Sequence, residues 1–176
     1  MVRHRQLLQV GALPVSIRSA RFEDVSGILR LIERAIEHGC RAHYDERQRR
    51  SVYVGYASSF FIEALGPFKT SVAEIDERLI GAAQIDPRVG LLRALFVDPA
   101  FQQRGVGGAL LAAVESRARA ARCERIFGAM SLNAVPFYRR AGFRAQGAPE
   151  LLRGPEISVP VLWMEKPLCP DSERVP

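Results

Sequence analysis

The chain has 176 residues, 48% of them apolar and 25% charged, with 25 Lys and Arg against 19 Asp and Glu for a formal charge of +6. This length suits one domain with a substantial core, and the balance is that of a soluble globular protein rather than a disordered one. No apolar run approaches the roughly 20 residues that cross a bilayer, the basic start from Met1 to Leu8 lacks a signal-peptide core, and the scattered Cys40, Cys123 and Cys169 form neither a disulfide framework nor a metal cluster, so the expectation is a cytoplasmic protein with no membrane segment and no metal.

In chain order, residues 1–13 read as a loose arm, 14–168 as a single domain and 169–176 as a tail. A first strand is predicted at 14–18. Val25, Ile28, Leu29, Leu31, Ile32, Ala35 and Ile36 then recur at helical spacing until Gly39. Asp45 is placed to cap a second helix from Arg47 to Tyr56. Residues 60–65 are apolar and fit either element, and Gly66-Pro67 closes them. From Thr70 the period changes to that of strands, at 70–75, 79–85 and 90–97, joined by short turns at 76–78 and 86–88; this predicts an antiparallel meander.

A glycine-rich loop follows, then a helix that buries Leu110, Leu111, Val114 and Ala118 and exposes Glu115, Arg117, Arg119 and Arg122, then a strand at 124–130. Strand, helix, strand makes a crossover unit, so 91–97 and 124–130 should run parallel. Asn133 is placed to cap a short helix through Tyr138 that Gly142 ends. A strand at 143–145, a loop at 147–154 and a last strand at 158–164 complete an α/β fold. Its central sheet is mixed and mostly antiparallel, with one parallel strand pair, and helices flank it.

The loop itself, Asp98-Pro99-Ala100-Phe101-Gln102-Gln103-Arg104-Gly105-Val106-Gly107-Gly108-Ala109, carries the most specific chemistry. A helix start has backbone N–H groups without intrahelical partners and a favourable dipole, and glycines let that backbone approach an anion. No Gly-Lys-Ser/Thr ending follows, so it is not a nucleotide P-loop, and the dinucleotide pattern fails at Leu110. It fits Gln/Arg-x-x-Gly-x-Gly/Ala, read as Gln102 to Gly107. Taken alone, the same glycines could simply ease a strand-to-helix turn.

With that loop stand two further segments in matching order, Ser131-Leu132-Asn133-Ala134-Val135-Pro136-Phe137-Tyr138 and Tyr138-Arg139-Arg140-Ala141-Gly142-Phe143. Together they resemble the GNAT N-acetyltransferase superfamily over nearly the whole chain. The resemblance implies an acyl-CoA N-acyltransferase fold in which the parallel pair is splayed and acetyl-CoA, the co-substrate, lies in the gap. Leu95, Phe96 and Val97 would line its pantetheine arm, with an amide near Phe96 meeting the oxyanion. Gln102, Gln103, Arg104, Gly105, Val106, Gly107, Gly108 and Ala109 would hold its diphosphate, and Phe137 would flank it. Arg104 is either a charge-assisted contact there or a solvated loop arginine. Asn133 either contacts the cofactor or only caps the helix. Tyr138 matches the position that protonates the departing thiolate, a task suited to a phenol.

The attacking amine must lose a proton. Glu74, Asp86 and His43 are chemically able to take it, Glu74 first because it sits on a sheet strand, and a water chain is the alternative. His43 and Tyr44 lie in the connection that often shapes the acceptor site in the family, and Ser131 either touches substrate or ends a strand. The expected partners are acetyl-CoA and an unidentified amine, with a homodimer open because relatives often form one. The rival readings are a non-catalytic acyl-CoA sensor on the same fold and, more weakly, a nucleic-acid-associated protein. The second is disfavoured by dispersed arginines and the absence of a groove-reading motif.

Overall fold

The computed structural model describes residues 6–10, 13–58 and 69–168, and helices cover both faces of one mixed sheet there. Strand β1 (Gln6–Val10) pairs antiparallel with β2 (Leu13–Ser19). The expected loose arm is therefore in part an edge strand. Its Gln-Leu-Leu-Gln-Val sequence has no two-residue alternation, so pairing with β2, not pattern, defines it.

Helix α1 (Val25–Gly39) buries Ile28, Leu31, Ile32, Ala35 and Ile36, the stripe that its spacing announced. Helix α2 (Glu46–Ala57) starts in a full capping box. Asp45 Oδ1 accepts from the Gln48 amide at 2.8 Å, and Gln48 Oε1 accepts from the Asp45 amide at 3.0 Å. A cap of this kind contributes about 1 kcal/mol, which matters in a helix where Ser51 is the buried residue. The apolar stretch at 60–65 lies outside the described residues.

Strands β3 (Thr70–Ile75) and β4 (Arg78–Asp86) form a hairpin, with Asp76 and Glu77 both at positive φ (45° and 64°), as a tight two-residue turn demands. Strand β5 (Leu91–Val97) lies antiparallel beside β4. Helix α3 (Val106–Ala120) then crosses to β6 (Arg125–Ser131), which is parallel to β5. α3 buries the four expected residues. Two of the residues expected outside are partly buried instead: Arg117 donates to Ser19 Oγ at 2.9 Å, and Glu115 pairs with Lys166 at 2.6 Å. Strand β9 (Val159–Pro167) pairs with β6 along the whole of β6, from Arg125↔Pro167 to Ser131↔Val161.

By contrast, β5 and β6 touch in register at one place, Leu91↔Phe127. A Cβ on Gly128 would stand 2.5 Å from the Leu92 carbonyl oxygen, so the two backbones meet there, and beyond that point the register stops. The parallel pair is splayed. A 3-10 turn (Leu132–Ala134) leads into α4 (Val135–Arg140). Asn133 does not cap that helix; its Oδ1 accepts from Cys40 Sγ at 3.4 Å. β7 (Arg144–Ala145) and β8 (Glu150–Leu152) both pair with β9, so the loop expected over 147–154 contains a short strand.

Candidate active site

The site is built where β5 ends. Asp98 is 3% exposed and fixes the turn from several sides. Its amide donates to the Ile80 carbonyl at 2.9 Å, and its carboxylate accepts from the Ala100 amide at 3.0 Å and pairs with Arg34 at 2.8 Å and Arg78 at 3.7 Å. Burial alone pushes the Asp98 carboxyl pKa up. The Arg34 hydrogen bond, the Ala100 amide and the two cationic charges outweigh it and hold the pKa below the ordinary carboxylate value.

Past this anchor, Gln102 Nε2 donates to the Val97 carbonyl at 3.1 Å, Gln103 takes φ 57° and Gly105, the residue before α3, takes φ 91°. That left-handed step turns the first amides of α3, those of Val106, Gly107 and Gly108, outward without intrahelical acceptors. The Ala109 amide already bonds the Gly105 carbonyl at 3.0 Å and so closes the first helical turn rather than facing a ligand. A Cβ at Gly107 would touch the Phe137 ring at 3.3 Å, whereas a Cβ at Gly108 would meet nothing within 4 Å. The space over Gly108 is open, and the residue is exposed at the start of the helix. Arg104 lies 6.0 Å from the Phe101 ring centre.

The splay opens a cleft of about 250 Å³. Leu95 and Phe96 of β5 and Ser131 of β6 line it, with Tyr138 of α4. Val97 packs into the core beside Gly107 rather than lining the cleft, and Phe137 backs Gly107. The Tyr138 side chain is 4% exposed and wedged edge-on between Phe137 (5.0 Å) and Phe143 (5.2 Å). Its hydroxyl has no hydrogen-bond partner among the described residues. Burial pushes its pKa far above the usual phenol value, and neighbouring Tyr56 adds to the shift, so it is protonated at neutral pH.

The residues expected on the acceptor side divide. Tyr44 lines the cleft, but its hydroxyl acts as a tether, accepting from the Leu132 amide at 2.8 Å and donating to the Pro160 carbonyl at 2.7 Å. His43 is exposed in the turn before it, outside the cleft lining. Glu74 is buried in an ion pair with Arg18 at 2.9 Å, and Arg18 also grips Asp24 at 2.7 Å. Asp86 is clamped by Arg88 at 2.7 Å and held at about 2, with the Arg88 hydrogen bond the chief cause. None of the three expected bases lines the cleft.

The sequence reading missed Arg49 and Tyr56 of α2, Cys40, Arg93 and Arg153. Tyr56 stacks edge-on against Phe96 at 5.0 Å, donates to the Arg93 carbonyl at 3.0 Å and is pushed up to about 12 by burial. For Arg49 and Tyr56 the position of α2 between the first helix and the meander was the available signal; Cys40, Arg93 and Arg153 had none. Among the described residues no group of three His, Cys, Asp or Glu could hold a metal, and no helix is long and apolar enough to cross a membrane.

The acetyltransferase (GNAT) domain model matches residues 35–156, the span that holds the glycine loop, the splay and Tyr138. The chain belongs to the GNAT acetyltransferase family. It is 29% identical over 139 residues to the amino-acid acetyltransferase of Azotobacter vinelandii, a match covering 77% of this chain and 29% of that protein, so this GNAT chain spans under a third of the curated relatives it matches. A GCN5-related N-acetyltransferase structure from Rhodopseudomonas palustris shares the fold at TM-score 0.79 and 21% identity, covering 96% of this chain and 99% of that one. The PaiA N-acetyltransferase of Thermoplasma acidophilum, solved in complex with coenzyme A, follows at TM-score 0.71 and 17% identity, covering 88% of this chain and 99% of that one.

Proposed function

We propose that this GNAT chain moves the acetyl group of acetyl-CoA directly to a primary amine, with Tyr138 as donor to the departing thiolate. One observation carries the reading. A phenol hydroxyl on a residue only 4% exposed has no partner, and it belongs to the wall of the cleft that the splayed strands open. That hydroxyl is not among the fully buried unpartnered atoms, so it reaches the space of the cleft, where a ligand atom can accept from it. The free amides of Val106, Gly107 and Gly108 and the open space over Gly108 suit the diphosphate, and Leu95 and Phe96 suit the pantetheine arm. The coenzyme A complex of the Thermoplasma relative supports the donor.

In the proposed step the amine nitrogen attacks the thioester carbonyl, the carbon–sulfur bond breaks, and sulfur takes a proton. Because burial raises the Tyr138 pKa above that of a thiol, full transfer is uphill, and the phenol acts first by hydrogen bonding to the developing thiolate. The amine proton leaves through water, since Glu74, Asp86 and His43 stand outside the cleft lining. The name of the Azotobacter relative supports an amino acid as acceptor.

The test is a thiol-release assay across amino acids, polyamines, aminoglycosides and peptides. Turnover is expected on at least one class, and Tyr138→Phe should lower kcat by about 100-fold while the Kd for coenzyme A stays within about threefold. Acetyl-CoA binding without turnover on any amine would overturn the proposal in favour of a sensor. Equal losses of kcat and affinity in the variant would remove Tyr138 from its role.

A further inference from the structure

The far end of the cleft from the glycine loop is walled by α2 and by the segment that joins β8 to β9. Its charged lining among the described residues consists of Arg49, Arg93 and Arg153, with no Asp or Glu. An acceptor carrying a second ammonium would meet like charges in that lining, whereas an anion would meet guanidinium donors.

Arg49 is fixed in the cleft wall by contacts that leave one of its nitrogens over. Its side chain is 13% exposed, Nε lies 3.3 Å from each Glu37 carboxylate oxygen, and Nη1 donates to the Tyr44 carbonyl at 3.0 Å. Nη2 has no partner among the described residues. A guanidinium offers five donors in a rigid fork, and the nitrogen left over is of the type that carboxylates take. Arg49 lines the cleft, and its partner Glu37 does not.

Arg153 is exposed on its segment, but the segment is fixed. Fully buried Ser51 accepts from the Glu156 amide at 3.3 Å and the Ile157 amide at 3.2 Å and donates to the Ile157 carbonyl at 3.0 Å. Gly154 sits so close to Ser51 that a Cβ there would stand 2.5 Å from its Oγ, and Arg50 pairs with Glu156 at 3.1 Å. Helix α2 thus holds Arg49 in the wall and, through Ser51, the segment bearing Arg153.

We infer that the acceptor is a carboxylate-bearing amine whose anion is received by Arg49, with Arg153 as a second cationic contact, and that these two side chains set specificity. The inference rests on the transfer reading above. Both ends of the acceptor are thereby positioned, the anion at α2 and the amine toward Tyr138.

The test measures initial rates of the full chain with acetyl-CoA on matched pairs, each L-amino acid against its own α-amide, with spermidine alongside. The acid of the best pair should exceed its amide in kcat/KM by at least about tenfold, the range of one charge-assisted hydrogen bond. Arg49→Gln should raise KM for the acid more than it lowers kcat and should collapse the acid-to-amide ratio, while Arg49→Lys should keep part of it. Arg153→Gln should reduce the same ratio without shifting Tm, which guards against misfolding in the Arg49 variants. Amides or spermidine used as well as the acids, or variants that lower both members of a pair equally, would overturn the inference and leave the transfer reading standing. No thiol release from any amine, while acetyl-CoA still raises Tm, would overturn the transfer reading and this inference with it.

Discussion

Gly90 and Gly108 show two different reasons for a glycine. A Cβ at Gly90 would run into the Arg125 carbonyl, and its φ of 77° disfavours any side chain, so the close approach of β5 and β6 requires it. At Gly108 no protein atom lies within 4 Å of a Cβ, and the residue sits in the first turn of a helix, where alanine is the better former. The fold alone would be served by alanine at 108. Gly108→Ala should therefore raise stability by up to about 1 kcal/mol while weakening coenzyme A binding several-fold, as read by urea unfolding and by titration. Gly105→Ala should lose on both counts, because φ 91° is a left-handed conformation that costs an L residue about 1–2 kcal/mol. A Gly108 variant that binds coenzyme A unchanged would take the diphosphate away from this turn.

Asp98 acts at the same scale through its charge. Its folded pKa lies below the ordinary value of 3.8, so its contribution is fully present above that value and is lost as pH falls through the lowered pKa. Asp98→Asn removes the charge that Arg34 and Arg78 pair with. The variant should melt below the parent at pH 7, and the gap in Tm should narrow as pH is taken below about 4. A gap that is constant with pH would mean that the charge of Asp98 contributes nothing to it.

Among the elements, α2 does more than its weak apolar stripe suggests. Ser51→Ala would leave two amides and a carbonyl of the 156–157 segment without their side-chain partner, a loss of about 1–3 kcal/mol. Hydrogen exchange at the Ile157 amide should accelerate in that variant while exchange in β6 and β9 stays slow. Elements whose signals are local were legible from sequence: the buried stripe of α1, the Asp45 cap of α2, the turn after Ile75, the glycine loop and the Tyr138 segment. β1 and β8 were not, because short edge strands gain their definition from a neighbour. The acceptor end was not legible either, since Arg49 and Tyr56 of α2 meet Arg93 and Arg153 from segments distant in the chain and form no local pattern with them. Glu74 was readable as a strand residue, but its partner Arg18 lies on the adjoining strand and follows from the β2–β3 pairing.

At the scale of the molecule, the sheet is continuous except where β5 and β6 part, the charged residues lining the cleft there are arginines among the described residues, and the chain carries a formal +6. A donor carrying phosphates should be steered into such a field, and the steering should be screened by salt, since the Debye length falls from about 10 Å at 0.1 M to about 3 Å at 1 M. The KM for acetyl-CoA should therefore rise several-fold over that range, with the change mainly in the association rate. An acetyl thioester of pantetheine, which has the reactive group and the arm but no phosphate, supplies the control. Its KM should be higher at low salt and nearly flat as salt increases. If both donors share one salt dependence, the glycine loop is not reading charge, and the positive balance of the chain serves something other than capture of the donor.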